Sequence, residues 1–150
     1  MKRLFAGLCA LAVLSLISYL TPVQAQTSAI AAGPFGYGAS EEVTLNGTVS
    51  TVLLGPSAGM IPGSHLVLAT LSGPVDASLG IFGLRGKGAV TVAAGQQIEV
   101  TGVMSTIKGK QVFLVRTVKL GGAVYTIRNE HGFPVPPQAR MRASQKAAGE

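Results

Sequence analysis

The chain of 150 residues carries one cysteine, no tryptophan, two histidines and only six acidic residues. Each scarcity excludes something. Cys9 lies inside an N-terminal apolar run. A chain cut behind that run has no cysteine and no disulfide, so an oxidising compartment is permitted but stability has to come from packing. His65 and His131 have no third ligand at a metal-binding spacing, and Glu130 is the one acid near either of them. No metal is therefore expected. His65 reads as a polar residue at the end of a strand structure and His131 as a turn residue. Glu41 and Glu42 are adjacent and would face opposite ways on a strand, so they cannot converge on one substrate atom. Asp76, Glu99 and Glu130 are isolated. Serines are common, but none sits in a nucleophile elbow. Gly36-Tyr37-Gly38 and Gly86-Lys87-Gly88 lack the spacing of a phosphate loop. The reading is no enzyme, no catalytic residue, no cofactor and no metal.

What is present begins with an export signal at residues 1–25. Lys2 and Arg3 precede an apolar run from Leu4 to Leu20, Thr21-Pro22 breaks it, and Val23-Gln24-Ala25 supplies a small-x-small cleavage pattern before Gln26. The run is about 17 residues, the lower edge of a membrane span, so an uncleaved anchor is the competing reading. With cleavage the chain is periplasmic or secreted and keeps no stable membrane span. The formal charge of +6 loses Lys2 and Arg3, leaving ten basic minus six acidic residues, or +4. This mild excess points toward an anionic partner.

Residues 26–40, rich in Ala, Gly, Ser and Thr, read as a flexible leader whose Phe35 and Tyr37 could dock on the body or be solvated, solvation being the favoured reading. From Glu41 the pattern changes to period two, the signature of a half-buried strand. Val43, Leu45, Gly47 and Val49 share one face. Asn46-Gly47 could form a hairpin turn, but the alternation continues in register across it, which favours a glycine bulge or close contact within one long strand. Gly55 to Gly63 is a loop by turn chemistry. Further strands are expected at Ser64–Leu71, apolar on both faces, at Val75–Phe82 after the turn Ser72-Gly73-Pro74, at Gln97–Thr106, at Val112–Leu120 after Lys108-Gly109-Lys110, and at Ala123–Arg128. Residues 89–94 could be a short helix or a short strand. Residues 135–150 read as a basic tail, disordered or a frayed helix.

Five to six short strands at spacings near ten residues, with a connecting segment between the third and fourth, predict an all-β, OB-like Greek-key barrel over residues 41–134. Its expected core is Val43, Leu45, Val49, Leu66, Leu68, Leu79, Ile98, Val100, Leu114 and Val118. The ordered runs Asn46-Gly47-Thr48-Val49, His65-Leu66-Val67-Leu68, Leu79-Gly80, Ile98-Glu99-Val100-Thr101-Gly102, Val115-Arg116-Thr117-Val118-Lys119 and Tyr125-Thr126-Ile127-Arg128-Asn129, with Gly132 and Pro134, carry a resemblance. Taken from Val43 to Pro134, the chain resembles a group of small, exported bacterial OB-fold proteins. It departs from them in lacking a proline after Leu79-Gly80, in Thr117 where Glu is usual, and in having no Trp after Pro134. The resemblance implies a fold and a compartment more than an activity. It also sets Arg116 and Arg128 at matched strand positions, where pairing with Glu99 or Glu130 is expected.

The functional lead is the basic set Arg85, Lys87, Lys108, Lys110, Arg116 and Lys119. OB barrels bind across strands two and three, flanked by the loop between strands one and two and the loop between strands four and five. Lys108 and Lys110 belong to the second of these loops. Arg85, Lys87 and Phe82 complete the candidate ligand-binding set. Single-strand binding needs stacking aromatics on the sheet. Only Phe82 is near the expected face, which argues against nucleic acid. The expectation is a small binding or accessory module that captures an unknown anionic ligand or envelope protein. The alternative is a purely structural or envelope-stress protein acting through a sheet edge.

Overall fold

The computed structural model describes residues 33–140, so the export signal, the first part of the leader and residues 141–150 lie outside the described residues. Six strands form: β1 (Val43–Leu53), β2 (Ser64–Thr70), β3 (Gly73–Gly80), β4 (Gln97–Ile107), β5 (Lys110–Leu120) and β6 (Ala123–Thr126). They pair in the order β3-β2-β1-β4-β5-β6. A short parallel contact, Ala77 with Phe113 and Ser78 with Leu114, joins β3 to β5 and closes the first five strands into an OB-like barrel. The alternating sequence makes β1 long enough to serve two neighbours. Its first half, Val43 to Thr48, pairs with β4, and from Thr48 onward it pairs with β2. Gly47 sits where the strand changes partner. A β-carbon there would stand 3.0 Å from the Ala69 carbonyl oxygen, so its role is close approach. The bulge lies at Ser50 instead, between the pairs Val49–Leu68 and Thr51–Val67.

Two bulges set which side chains enter the barrel. Each adds one residue to one strand and reverses the inward parity beyond it. After Ser50 the inward side chain is Val52. In β5 the extra residue is Arg116, between the pairs Gly102–Val115 and Thr101–Thr117. Phe113 and Val115 therefore join Val118 in the barrel core, with Val49, Leu66, Leu68, Ala77, Leu79, Ile98 and Val100. Leu114 faces outward and is buried in a second cluster with Tyr37, Ile61, Val103 and Val112. This corrects the expected place of Leu114. Val43 is also corrected: at the start of β1 it is 49% exposed.

The flanking segments differ from the sequence reading in physically instructive ways. Tyr37, read as solvated, is 1% exposed because it completes the outer cluster, while Phe35 remains open. Residues 89–94 are neither helix nor strand. Val90 drops into the barrel core there, held by its N–H on the Gly83 carbonyl. The outward face of β2 is not apolar-buried throughout, since Ala69 is exposed and Leu71, in the turn beyond, is fully so. Residues 135–140, read as tail, pack on the barrel: the Val135 N–H donates to the Ile127 carbonyl, residues 137–140 are helical, and Arg140 is buried.

Candidate functional site

Loop 54–63 joins β1 to β2, and two cations of the candidate set rest on it. Arg85 donates from Nη2 to the Leu54 carbonyl at 3.0 Å. The Lys110 ammonium lies over Gly59, 2.6 Å from where a β-carbon would stand. Lys108 is at the neighbouring hairpin tip. There Ile107 pairs with Lys110 across a two-residue turn in which Lys108 (φ 51°) and Gly109 (φ 76°) are both left-handed. That is the type I′ pattern, which favours Asn or Gly. A lysine there carries about 1–2 kcal/mol of backbone strain. Lys87 is exposed on a glycine turn that approaches the C-terminal segment, with Gly86 against Pro137 and Gly88 against Arg140. Phe82 is half-buried, its carbonyl taken by Arg140 Nη1 at 3.0 Å. The fold thus brings Arg85 and Lys110 onto loop 54–63 with Lys108 at the hairpin turn beside Lys110, and sets Lys87 and Phe82 on the connecting segment toward residues 137–140.

Charge is unevenly matched over the surface. Glu42 binds Arg116 at 2.6 Å, Asp76 binds His65 at 2.6 Å, Glu130 lies 3.4 Å from His131 and Glu99 lies 3.8 Å from Lys119. Among the described residues, Arg85, Lys87, Lys108 and Lys110 have no carboxylate within 4.0 Å. The expected pairing of Arg116 and Arg128 with Glu99 or Glu130 is therefore corrected. Arg116 holds Glu42 through Nε. Arg128 holds no carboxylate among the described residues.

Arg128 acts on the barrel seam. The Arg116 bulge turns that residue's carbonyl out of the β4–β5 ladder, where it accepts from the N–H groups of Ile127 and Arg128. This sets the Arg128 guanidinium between β3 and β5. Nη1 donates to the carbonyls of Ser78 (2.8 Å) and Val115 (2.7 Å), and Nη2 to Ser78 Oγ (3.2 Å). It bridges the strands where their parallel pairing runs out. Burial pushes its pKa down to about 10.

Beside it stands a second polar group that the sequence reading missed. His65 is fully buried rather than a surface end residue, and an acid does reach it: Asp76, across the β2–β3 hairpin. Val67 pairs with Asp76 and His65 with Ser78, so all four side chains share one face. Hairpin arithmetic across a Leu71-Ser72 turn would have revealed this. His65 Nδ1 meets Asp76 Oδ1 at 2.6 Å, and Nε2 meets the Ile61 carbonyl at 2.9 Å. Burial pushes the imidazole pKa down, but the bonds to Asp76 and Ile61 outweigh it and raise the value above the ordinary 6.5. Nearby, Glu42 is pulled below its usual range. Burial opposes that change, and the hydrogen bonds from Arg116 and from the Tyr37 hydroxyl drive it. Burial, then the Glu42 bond, raises Tyr37, which stays a neutral donor.

A shallow groove of ≈ 550 Å³ lies elsewhere, between mid-β1, the end of β2, the start of β4 and the β5–β6 turn. Its one cation, Lys119, faces Glu99, and none of the candidate ligand-binding residues lines it. Among the described residues no cluster of three or more His, Cys, Asp or Glu side chains could hold a metal ion, and no helix is long and apolar enough to cross a membrane. No protein-family profile, curated protein or solved structure matches the chain.

Proposed function

We propose that this barrel is an exported binding module, related to the small bacterial OB-fold proteins it resembles, that captures an anionic partner at the end formed by loop 54–63 and the β4–β5 hairpin. One observation carries the reading. Arg85 and Lys110 rest on one loop, Lys108 sits at the adjoining hairpin turn, and none of the three has a carboxylate within 4.0 Å among the described residues, while Glu42 and Glu99 are matched to Arg116 and Lys119 elsewhere. An unmatched cation cluster attracts anions over roughly 8–10 Å at physiological salt. The strain accepted at Lys108 supports the same end, because a left-handed lysine is a costly way to make a turn that glycine makes freely.

The partner is an acidic protein segment or similar polyanion of the envelope. Nucleic acid is disfavoured because Phe113 and Tyr37 are buried and the open aromatics Phe35 and Phe133 lie off the strands, leaving no aromatic stacking surface on the sheet among them. A second reading, a structural or envelope-stress protein working through a sheet edge, is favoured by β6. That strand ends the sheet order, is four residues long and leaves Val124 63% exposed.

The test is fluorescence anisotropy with labelled poly-aspartate across a salt series. Binding should weaken steeply with salt and be abolished in Lys108→Glu/Lys110→Glu, with Tm nearly unchanged. A double variant that binds as well as the parent removes this end of the barrel from consideration and moves the sheet edge ahead.

A further inference from the structure

We propose that His65 and Asp76 form a proton-operated latch on loop 54–63, closed when the pair holds a proton and released when it gives that proton up. The geometry points to this. Leu66 and Leu68 face the barrel core, so the alternation of β2 sends His65 outward. It is nevertheless 0% exposed, because Ile61 folds back over that face into the outer cluster with Tyr37, Val103, Val112 and Leu114. Both ring nitrogens then meet oxygen acceptors, the Asp76 carboxylate and the Ile61 carbonyl. A neutral imidazole has a single N–H, so it can satisfy only one of them. Both bonds form only if the pair carries one further proton, on the ring or on the carboxyl group.

Loss of that proton acts on the loop. The carboxylate keeps the remaining N–H, because a bond to an ionised acceptor is the stronger of the two. Nε2 then presents a lone pair to the Ile61 oxygen 2.9 Å away, and a buried carbonyl loses its donor. Ile61 is the anchor of the loop on this face. Asp76 is 21% exposed, which gives the proton a route to solvent. Two charged groups bear on the ring: Asp76 on β3 favours the proton, and Arg128 beyond β6 opposes it. A raised folded-state pKa means that the latch stabilises fully below the ordinary value of 6.5 and that its contribution fades as pH rises through the folded value. If anion capture operates at this loop, it weakens over the same range. The latch itself rests only on the loop geometry.

The experiment follows amide-exchange protection of Met60, whose N–H donates to the Ser57 carbonyl beside Ile61, in the full chain from pH 5 to 9, corrected for intrinsic rates, together with the ring signals of both histidines. His131, whose side chain is 70% exposed, is the internal reference. Protection should hold at low pH and fall as His65 deprotonates, while core amides of β2 and β5 stay protected. Asp76→Asn removes the charge and offers an N–H donor to Nδ1, so the neutral ring can keep its Nε2–H on Ile61: the His65 titration should move down by roughly 1–3 pH units while loop protection persists to high pH. His65→Leu removes every side-chain donor to the Ile61 carbonyl and should leave the loop unprotected at every pH. If that variant does not fold, Asp76→Asn carries the test alone. Protection independent of pH in the parent, or a protection loss that Asp76→Asn leaves in place, overturns the latch. Loss of the latch with poly-aspartate binding intact, or the converse, separates this inference from the proposed function.

Discussion

Gly102 gives the sharpest test of how the barrel is held. It faces Val115 beside the Arg116 bulge, and a β-carbon there would overlap the Leu114 carbonyl oxygen. The same β-carbon would stand 2.9 Å from the Leu114 carbonyl carbon and 3.0 Å from Val115 Cα, where ordinary contact begins at 3.4 Å. All three atoms are backbone, so no rotamer change relieves the overlap and β5 itself has to retreat. Overpacking alone costs about 1–3 kcal/mol. A retreating strand also weakens ladder hydrogen bonds worth about 1 kcal/mol each. It loosens Phe113 and Val115 in the core and Leu114 in the outer cluster as well. Gly102→Ala should therefore cost about 3 kcal/mol or more, a large part of the roughly 5–15 kcal/mol available to such a domain. Gly109→Ala is the control. Nothing lies within 4 Å of its β-carbon, but its φ is +76°, so only left-handed strain of about 1–2 kcal/mol applies. Urea unfolding of both variants compares space against conformation. A Gly102→Ala variant within 1 kcal/mol of the parent, or less damaged than Gly109→Ala, would refute the argument.

Leu68 is fully buried in the barrel core, so Leu68→Ala should lose about 2–5 kcal/mol through lost burial and the cavity left behind, read as a shift of urea midpoint at constant slope. Glu42 supplies a pH signature. Because its folded pKa lies below the ordinary 4.5, its bonds to Arg116 and Tyr37 stabilise fully above that value and are lost as pH falls through the folded value. Tm should drop over that acid range, and Glu42→Gln should flatten the drop. An equal drop in the variant would assign the acid loss to other groups.

Period-two alternation made β1 and β4 legible, because a strand with one wet face writes its geometry residue by residue. Gly47 was readable for the same reason, since the pattern ran through it unbroken. Turn chemistry located the β4–β5 hairpin and placed Lys108 and Lys110 together at its tip. The bulges at Ser50 and Arg116 were not legible. One extra residue leaves no compositional mark, yet it reverses every inward assignment beyond it, which is why Leu114 was placed in the barrel and Phe113 was not.

The sequence by itself determined the class of the fold and the succession of its strands along the chain, because these follow from local pattern. Only the tertiary structure decided the partners. The β3–β5 closure joins residues some 36 positions apart, Ala77 with Phe113. Tyr37 is buried by elements from both ends of the chain. Arg128 reaches Ser78, 50 residues away, and Asp76 reaches His65 across a hairpin. Each of these depends on which strands and loops meet once the barrel has closed, and that is a property of the assembled sheet that no single segment carries.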